Sequence, residues 1–162
     1  MKPLLFGGFA SILVSILHVL IIIGGPDWYR FFGAGEEAAR LAAQGSDSNA
    51  VTTAAIALIF ALFGLYGVFG ATGAFRLPFQ SAALILIATL FLVRGLLGVP
   101  AFLMFQDTYL DELKGRMVFV VLTSLVSAAI GACYLHGLVK IGNHKETSNR
   151  VDAAAVTGET ST

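Results

Sequence analysis

Charge is what this sequence has least of. Charged residues make up 12% of the 162-residue chain, about half the roughly 25% usual in a soluble domain, whereas hydrophobic residues make up 57%. The scarcity is patterned. Of ten basic and ten acidic residues, only Arg94 falls inside one of four long apolar runs, residues 4–23, 50–75, 77–105 and 117–139. No Asp or Glu lies in any of them, which disfavours proton-coupled transport through an intramembrane carboxylate.

Other absences narrow the field further. One cysteine, Cys133, leaves no partner for an internal disulfide, and its place within the last apolar run suits a small buried hydrophobe. The formal net charge is zero, and no basic block interleaved with aromatics occurs, so nucleic acid is excluded as a partner. There is no Walker loop, nucleophile–base pair or cluster with metal-ligand spacing, and neither cofactor nor metal is expected. An enzyme is disfavoured, although activity carried by loop residues stays open.

What is present is lipid-facing length. Each run exceeds the roughly 18 residues that cross a bilayer as a helix, and lipid offers unpaired backbone groups no alternative partner. The strand pattern of alternating polarity over segments of about ten residues is missing. The first run is too long for a signal-peptide core of roughly 7–15 residues and no Ala-x-Ala site follows it, so it reads as helix 1. The expected fold is an all-α membrane protein, an antiparallel bundle of four transmembrane helices with a short amphipathic helix in loop 1. Residues 1–141 form the membrane domain, with helices at about 4–23, 50–75, 78–104 and 117–140; residues 142–162 read as a disordered polar tail.

The first loop joins an aromatic stretch, Trp28-Tyr29-Arg30-Phe31-Phe32, to a helix-prone one beginning at Glu36-Glu37. The four aromatics suit the membrane interface. In the short helix the two glutamates favour the N-terminal dipole, Arg40 follows Glu36 by four residues, and Gly45 can cap the end. Asp47 or Ser48 can cap helix 2, and Pro78 fits the first turn of helix 3. The loops give a positive-inside bias of five basic residues (Lys2, Arg76, Lys140, Lys145, Arg150) against four (Arg30, Arg40, Lys114, Arg116). That places both termini in the cytoplasm of a multi-pass cell-membrane protein.

Small residues mark where helices meet. Gly7, Ser11, Ser15 and His18 share one face of helix 1. Gly64, Gly67, Gly70 and Gly73 walk around helix 2 and equip it for more than one neighbour. Ser124, Ser127, Ala128 and Gly131 line one side of helix 4.

Arg94 carries the most information, because an arginine deep in a membrane helix costs roughly 2.5–3.5 kcal/mol on insertion scales. Counted at about 1.5 Å per residue, His18 reaches a similar depth to Arg94, with Ser124 and Ser127 close to that level. Three readings follow. In one, His18, Arg94, Ser124 and Ser127 line a polar pocket in the outer half for a carboxylate or phosphate, lidded by loop 1 with its carboxylates Asp27, Glu36 and Glu37. In another, Arg94 pairs internally with one of those carboxylates and pins loop 1 to the bundle. In the third, Arg94 snorkels to headgroups. Pro100 marks either a kink beside Arg94 or the end of helix 3. His18 and His136 differ in depth by roughly 15 Å, so they cannot share a haem.

The stretch from Gly25 to Glu36 after a His-bearing helix, with Leu77-Pro78 and Val93-Arg94-Gly95-Leu96, resembles small bacterial four-helix membrane proteins of unassigned function. The likeness covers residues 4 to about 140 and implies a bacterial cytoplasmic membrane, with no activity attached. The functions in view are a binding or accessory membrane component with the bilayer, a second copy or a partner subunit around it, and a small oligomeric transporter or channel. An envelope enzyme acting on lipid ranks below both.

Overall fold

A computed structural model of the chain describes residues 2–75, 77–104 and 117–159. Arg76 and the polar connection at 106–116 lie outside the described residues. Among those described there are six helices and no strand: α1 (Lys2–Gly24), α2 (Pro26–Phe31), α3 (Glu36–Ala43), α4 (Ser48–Thr72), α5 (Gln80–Met104) and α6 (Met117–Glu159). Four of them contain stretches long and apolar enough to cross a membrane: Lys2–Gly24, Ser48–Thr72, Gln80–Ala101 and Met117–Asn143.

Glycine decides how closely these helices approach. A Cβ placed on Gly8 would lie 2.8 Å from the Val68 nitrogen and 3.0 Å from the Gly64 carbonyl oxygen, so α1 and α4 touch backbone to backbone. Further along α1, the Ser15 hydroxyl donates to the Ala57 carbonyl at 2.7 Å. Partner numbers fall along α4 as they rise along α1, so the two helices run in opposite directions. The pair α5 and α6 is built the same way: Gly131 faces Leu92, Gly95 faces Ala128 and Gly98 faces Ser124.

The two pairs meet across α1 and α6. Leu4 packs on Gly137, and a Cβ placed on Gly7 would lie 3.2 Å from the Tyr134 ring. Tyr134 is fully buried; its hydroxyl donates to the Phe63 carbonyl at 2.7 Å and stands 3.0 Å from the Ser11 hydroxyl. With Leu84, Ile87, Ala88, Phe91 and Ile130 this makes the core, and it fills the half of the bundle nearer Leu4. The helix 1 stripe is thus shared, Gly7 and Ser11 serving α6 and Ser15 serving α4. Gly8, outside the stripe, makes the closest approach.

Three details depart from expectation. α5 begins at Gln80, after Pro78, and runs through Pro100 to Met104, so Pro100 does not end it. Asp47 is the N-cap of α4 without a side-chain hydrogen bond; Asn49 instead donates to the Ala38 carbonyl at 2.9 Å, tying α3 to α4. The last helix continues to Glu159 across the stretch read as a disordered tail. Lys, Glu, Arg and the Ala153–Ala155 run favour helix there, no proline interrupts it, and those propensities outweigh the Ser, Thr and Asn content. Gly45 does end α3, at φ 76°, with its N–H on Ala42 and that of Ser46 on Leu41, a Schellman closure.

Candidate functional site

Between the two helix pairs, on the side of the Tyr134 layer that carries α2 and α3, lies a cleft of about 630 Å³ lined from α1, α4, α5 and α6. That size is within the range of small-molecule pockets, about 300–1,000 Å³. Its walls are apolar and rich in rings: Phe60 and Phe63 from α4, Phe91 from α5 and Phe119 from α6. Among the described residues its polar lining is short, consisting of His18, Arg94, Thr123 and Ser127.

The helix register explains why His18 and Arg94 arrive together. Eleven residues along α1 from Gly7 is His18, and eleven back along α6 from its partner Tyr134 is Thr123, so those two stand opposite one another. Arg94 begins a turn nearer the core, but its guanidinium extends towards Gly98 and Nη1 donates to the Ser124 hydroxyl at 3.3 Å. A Cβ at position 98 would collide with Nη1 and lie 2.6 Å from Ser124 Oγ. The absent side chain of Gly98 is what seats the charged head beside Ser124, level with Thr123.

Hydrogen-bond accounting shows what the cleft offers. Ser127 donates to the Thr123 carbonyl at 2.8 Å and Thr123 to the Val120 carbonyl at 3.1 Å, so both hydroxyls present only lone pairs. His18 Nδ1 lies 2.8 Å from the Val14 carbonyl. Nδ1 must therefore carry a proton, which leaves Nε2 as the acceptor of the neutral ring. The ring rests against Phe60 with centroids 5.3 Å apart. Ser124 is buried, 3% exposed, whereas Arg94 stays exposed. Among the described residues no carboxylate comes within ion-pair reach of Arg94.

The carboxylates expected there are elsewhere. Gly33 and Gly35, at φ 77° and 92°, reverse the chain between α2 and α3 and return Glu36 to Arg30, which grips it with two bonds of 2.8 and 2.7 Å and also holds Asp27 at 3.0 Å. Glu37 pairs with Arg40 at 2.6 Å. Asp27, Glu36 and Glu37 thus do not line the cleft, and the expected pairing of Glu36 with Arg40 is replaced by one across the α2–α3 turn. Hydrogen bonds from Arg30 and Arg40 hold the Glu36 and Glu37 carboxyls below the usual range and push both guanidiniums further up.

Loop 1 reaches the cleft through a ring. Phe32 lines it, with its ring centroid 6.4 Å from that of Phe119. Of the four aromatics, Trp28 and Phe31 remain exposed; Tyr29 is buried with Ile21 and Ala39, and its hydroxyl has no hydrogen-bond partner among the described residues. Gly98, Thr123, Phe32 and Phe119 are the site residues that sequence reasoning missed. For Gly98 a signal exists in the sequence, four residues beyond Arg94 on the same helical face. His136 is exposed near the packed end of α6, away from the cleft. No cluster of three potential metal ligands occurs among the described residues.

Comparison of the chain with family models, curated proteins and solved structures finds no match.

Proposed function

We propose that this chain is a small multi-pass protein of a bacterial cell membrane, both termini cytoplasmic, that works by binding. It is a binding or accessory component whose cleft, in the outer half of an antiparallel four-helix bundle, holds a lipophilic small molecule. The observation that carries this reading is the cleft itself: an interhelical space walled by phenylalanines, with Arg94, His18 and Ser127 on its lining. A bundle selected for packing alone would close such a space, because lipid helices associate by van der Waals contact and close approach.

Transport is the weaker reading. A solute crossing one chain would have to pass the layer of Leu4, Leu84, Ile87 and Tyr134, all essentially inaccessible, so a pathway needs several copies. The binding reading is tested by extracting the chain in mild detergent, identifying by mass spectrometry any lipophile that co-purifies, and repeating with Leu122→Trp, which fills the cleft. A lipophile retained by the natural chain and lost from the variant supports binding. Retention by both removes the cleft as its seat, and solute flux in proteoliposomes would favour the transporter.

A further inference from the structure

We infer that the cleft takes an amphiphile with a singly charged oxyanion head, carboxylate or phosphodiester, seated on Arg94, and an apolar chain laid along the phenylalanine wall. The inference rests on the binding reading above and adds to it the chemistry of the occupant.

Charge comes first. Arg94 brings a permanent cation into an apolar span, and the partner it has among the described residues is a neutral hydroxyl at a long 3.3 Å. A guanidinium has five N–H donors in a planar fork that matches two oxygens of a carboxylate or phosphate. Among the described residues one donor group is engaged, so the fork keeps donors for a second partner, and an oxyanion would supply a counter-charge. Elsewhere in the molecule Arg30 and Arg40 already have carboxylates; among the described residues Arg94 has none.

The other polar groups then fix the position of the head. Thr123 and Ser127 have spent their protons on their own helix and turn only lone pairs towards the cleft, which repel an anion. Such a head has one place to sit, at the guanidinium over Gly98, since the His18 Nδ1 proton is already held by the Val14 carbonyl. One cation suits one negative charge. A free inorganic anion would leave the rings of Phe60, Phe63 and Phe91 without use, and an uncharged lipid would leave Arg94 without one.

The way in is apolar too. Ile59, Leu90, Leu122 and Val126 line the cleft while remaining 46%, 48%, 57% and 48% exposed. An opening framed by such side chains adjoins hydrocarbon rather than water, so the occupant arrives from the bilayer.

The test uses the full chain in neutral detergent, with binding of oleate, oleyl alcohol and dioleoylphosphatidylglycerol followed by native mass spectrometry and folding followed by thermal melts. One oleate per chain is expected, at least tenfold tighter than the alcohol. Arg94→Gln should lower oleate binding at least tenfold without changing that of the alcohol, and Leu122→Trp should lower both. Gly98→Ala keeps the charge but displaces it, so it should reproduce the loss if Arg94→Gln fails to fold. Phosphatidylglycerol that displaces oleate with the same dependence on Arg94 identifies the head as a bilayer phosphodiester; the reverse identifies it as a free carboxylate. Oleate and alcohol binding equally, both sensitive to Leu122→Trp and neither to Arg94→Gln, overturns the oxyanion and leaves binding standing. Failure of every probe to exceed the Leu122→Trp background overturns the binding reading itself.

Discussion

The guanidinium of Arg94 occupies the space that a side chain at Gly98 would need, one turn further along the same helix. Arginine at 94 and glycine at 98 form one device: the first supplies the charge and the second lets it leave the helix surface and reach Ser124 on α6. Gly98→Ala should therefore cost about 1–3 kcal/mol, the usual penalty of overpacking. Most of that cost should disappear when Arg94 is also replaced by Ala, since Ser124 can rotate away. A double-mutant cycle on thermal unfolding in detergent reads the coupling; additive losses would separate the two residues.

The contact of α1 with α4 makes a sharper contrast. Gly67 stands 2.7 Å, measured from an ideal Cβ, from the Gly8 Cα, whereas Gly142 has nothing within 4 Å. Gly67→Leu should force the helices apart and prevent recovery of folded protein. Gly142→Ala should be neutral or stabilising by up to about 1 kcal/mol through helix propensity. Expression and melting temperature of the two variants decide it, and equal behaviour would mean that α1 and α4 do not touch as described.

Much of this was legible in the sequence because membrane helices write their rules openly. The four spans follow from run length alone, and Gly64, Gly67, Gly131 and Ser124 were readable as contact residues from spacing. His18 and Arg94 could be set at one depth by counting residues. What could not be read was which local partner captures each charge. Glu36 sits four residues from Arg40, yet the left-handed turns at Gly33 and Gly35 bring it to Arg30 first. Tertiary reversal outcompeted helical spacing, and the same turn rolled Tyr29 and Phe32 inward from the interface position that their chemistry suggested.

Tyr29 supplies a prediction of unusual sign. Its ring is buried, 3% exposed, while its hydroxyl has no partner among the described residues, and a buried polar group without a hydrogen bond carries an uncompensated desolvation cost of about 1–3 kcal/mol. Tyr29→Phe removes the hydroxyl and keeps the ring, so it should be neutral or stabilising by about 1 kcal/mol. Tyr134→Phe should do the opposite, since that hydroxyl serves the Phe63 carbonyl and Ser11. Interhelical bonds of this kind average about 0.6 kcal/mol and reach about 1.7. Thermal melts of the two variants side by side should move in different directions; a shared destabilisation would show that Tyr29 has a partner.

The α2–α3 turn should respond to acid. Hydrogen bonds from Arg30 and Arg40 hold the Glu36 and Glu37 carboxyls below their ordinary value of 4.5. A carboxyl whose folded value is depressed contributes its stabilisation in full above the unfolded value and loses it as pH falls through the folded one. The clamp should therefore be intact at neutral pH and loosen only below about pH 4.5, with a modest effect because both pairs are exposed and screened. Trp28, the single tryptophan, sits in α2 with its ring 5.6 Å from that of Phe32 and reports the motion by fluorescence. Its emission should hold steady from pH 8 to 5 and shift below, and Glu36→Gln should remove most of that shift by breaking the Arg30 grip at every pH. An emission change centred near neutrality would assign the response to another group.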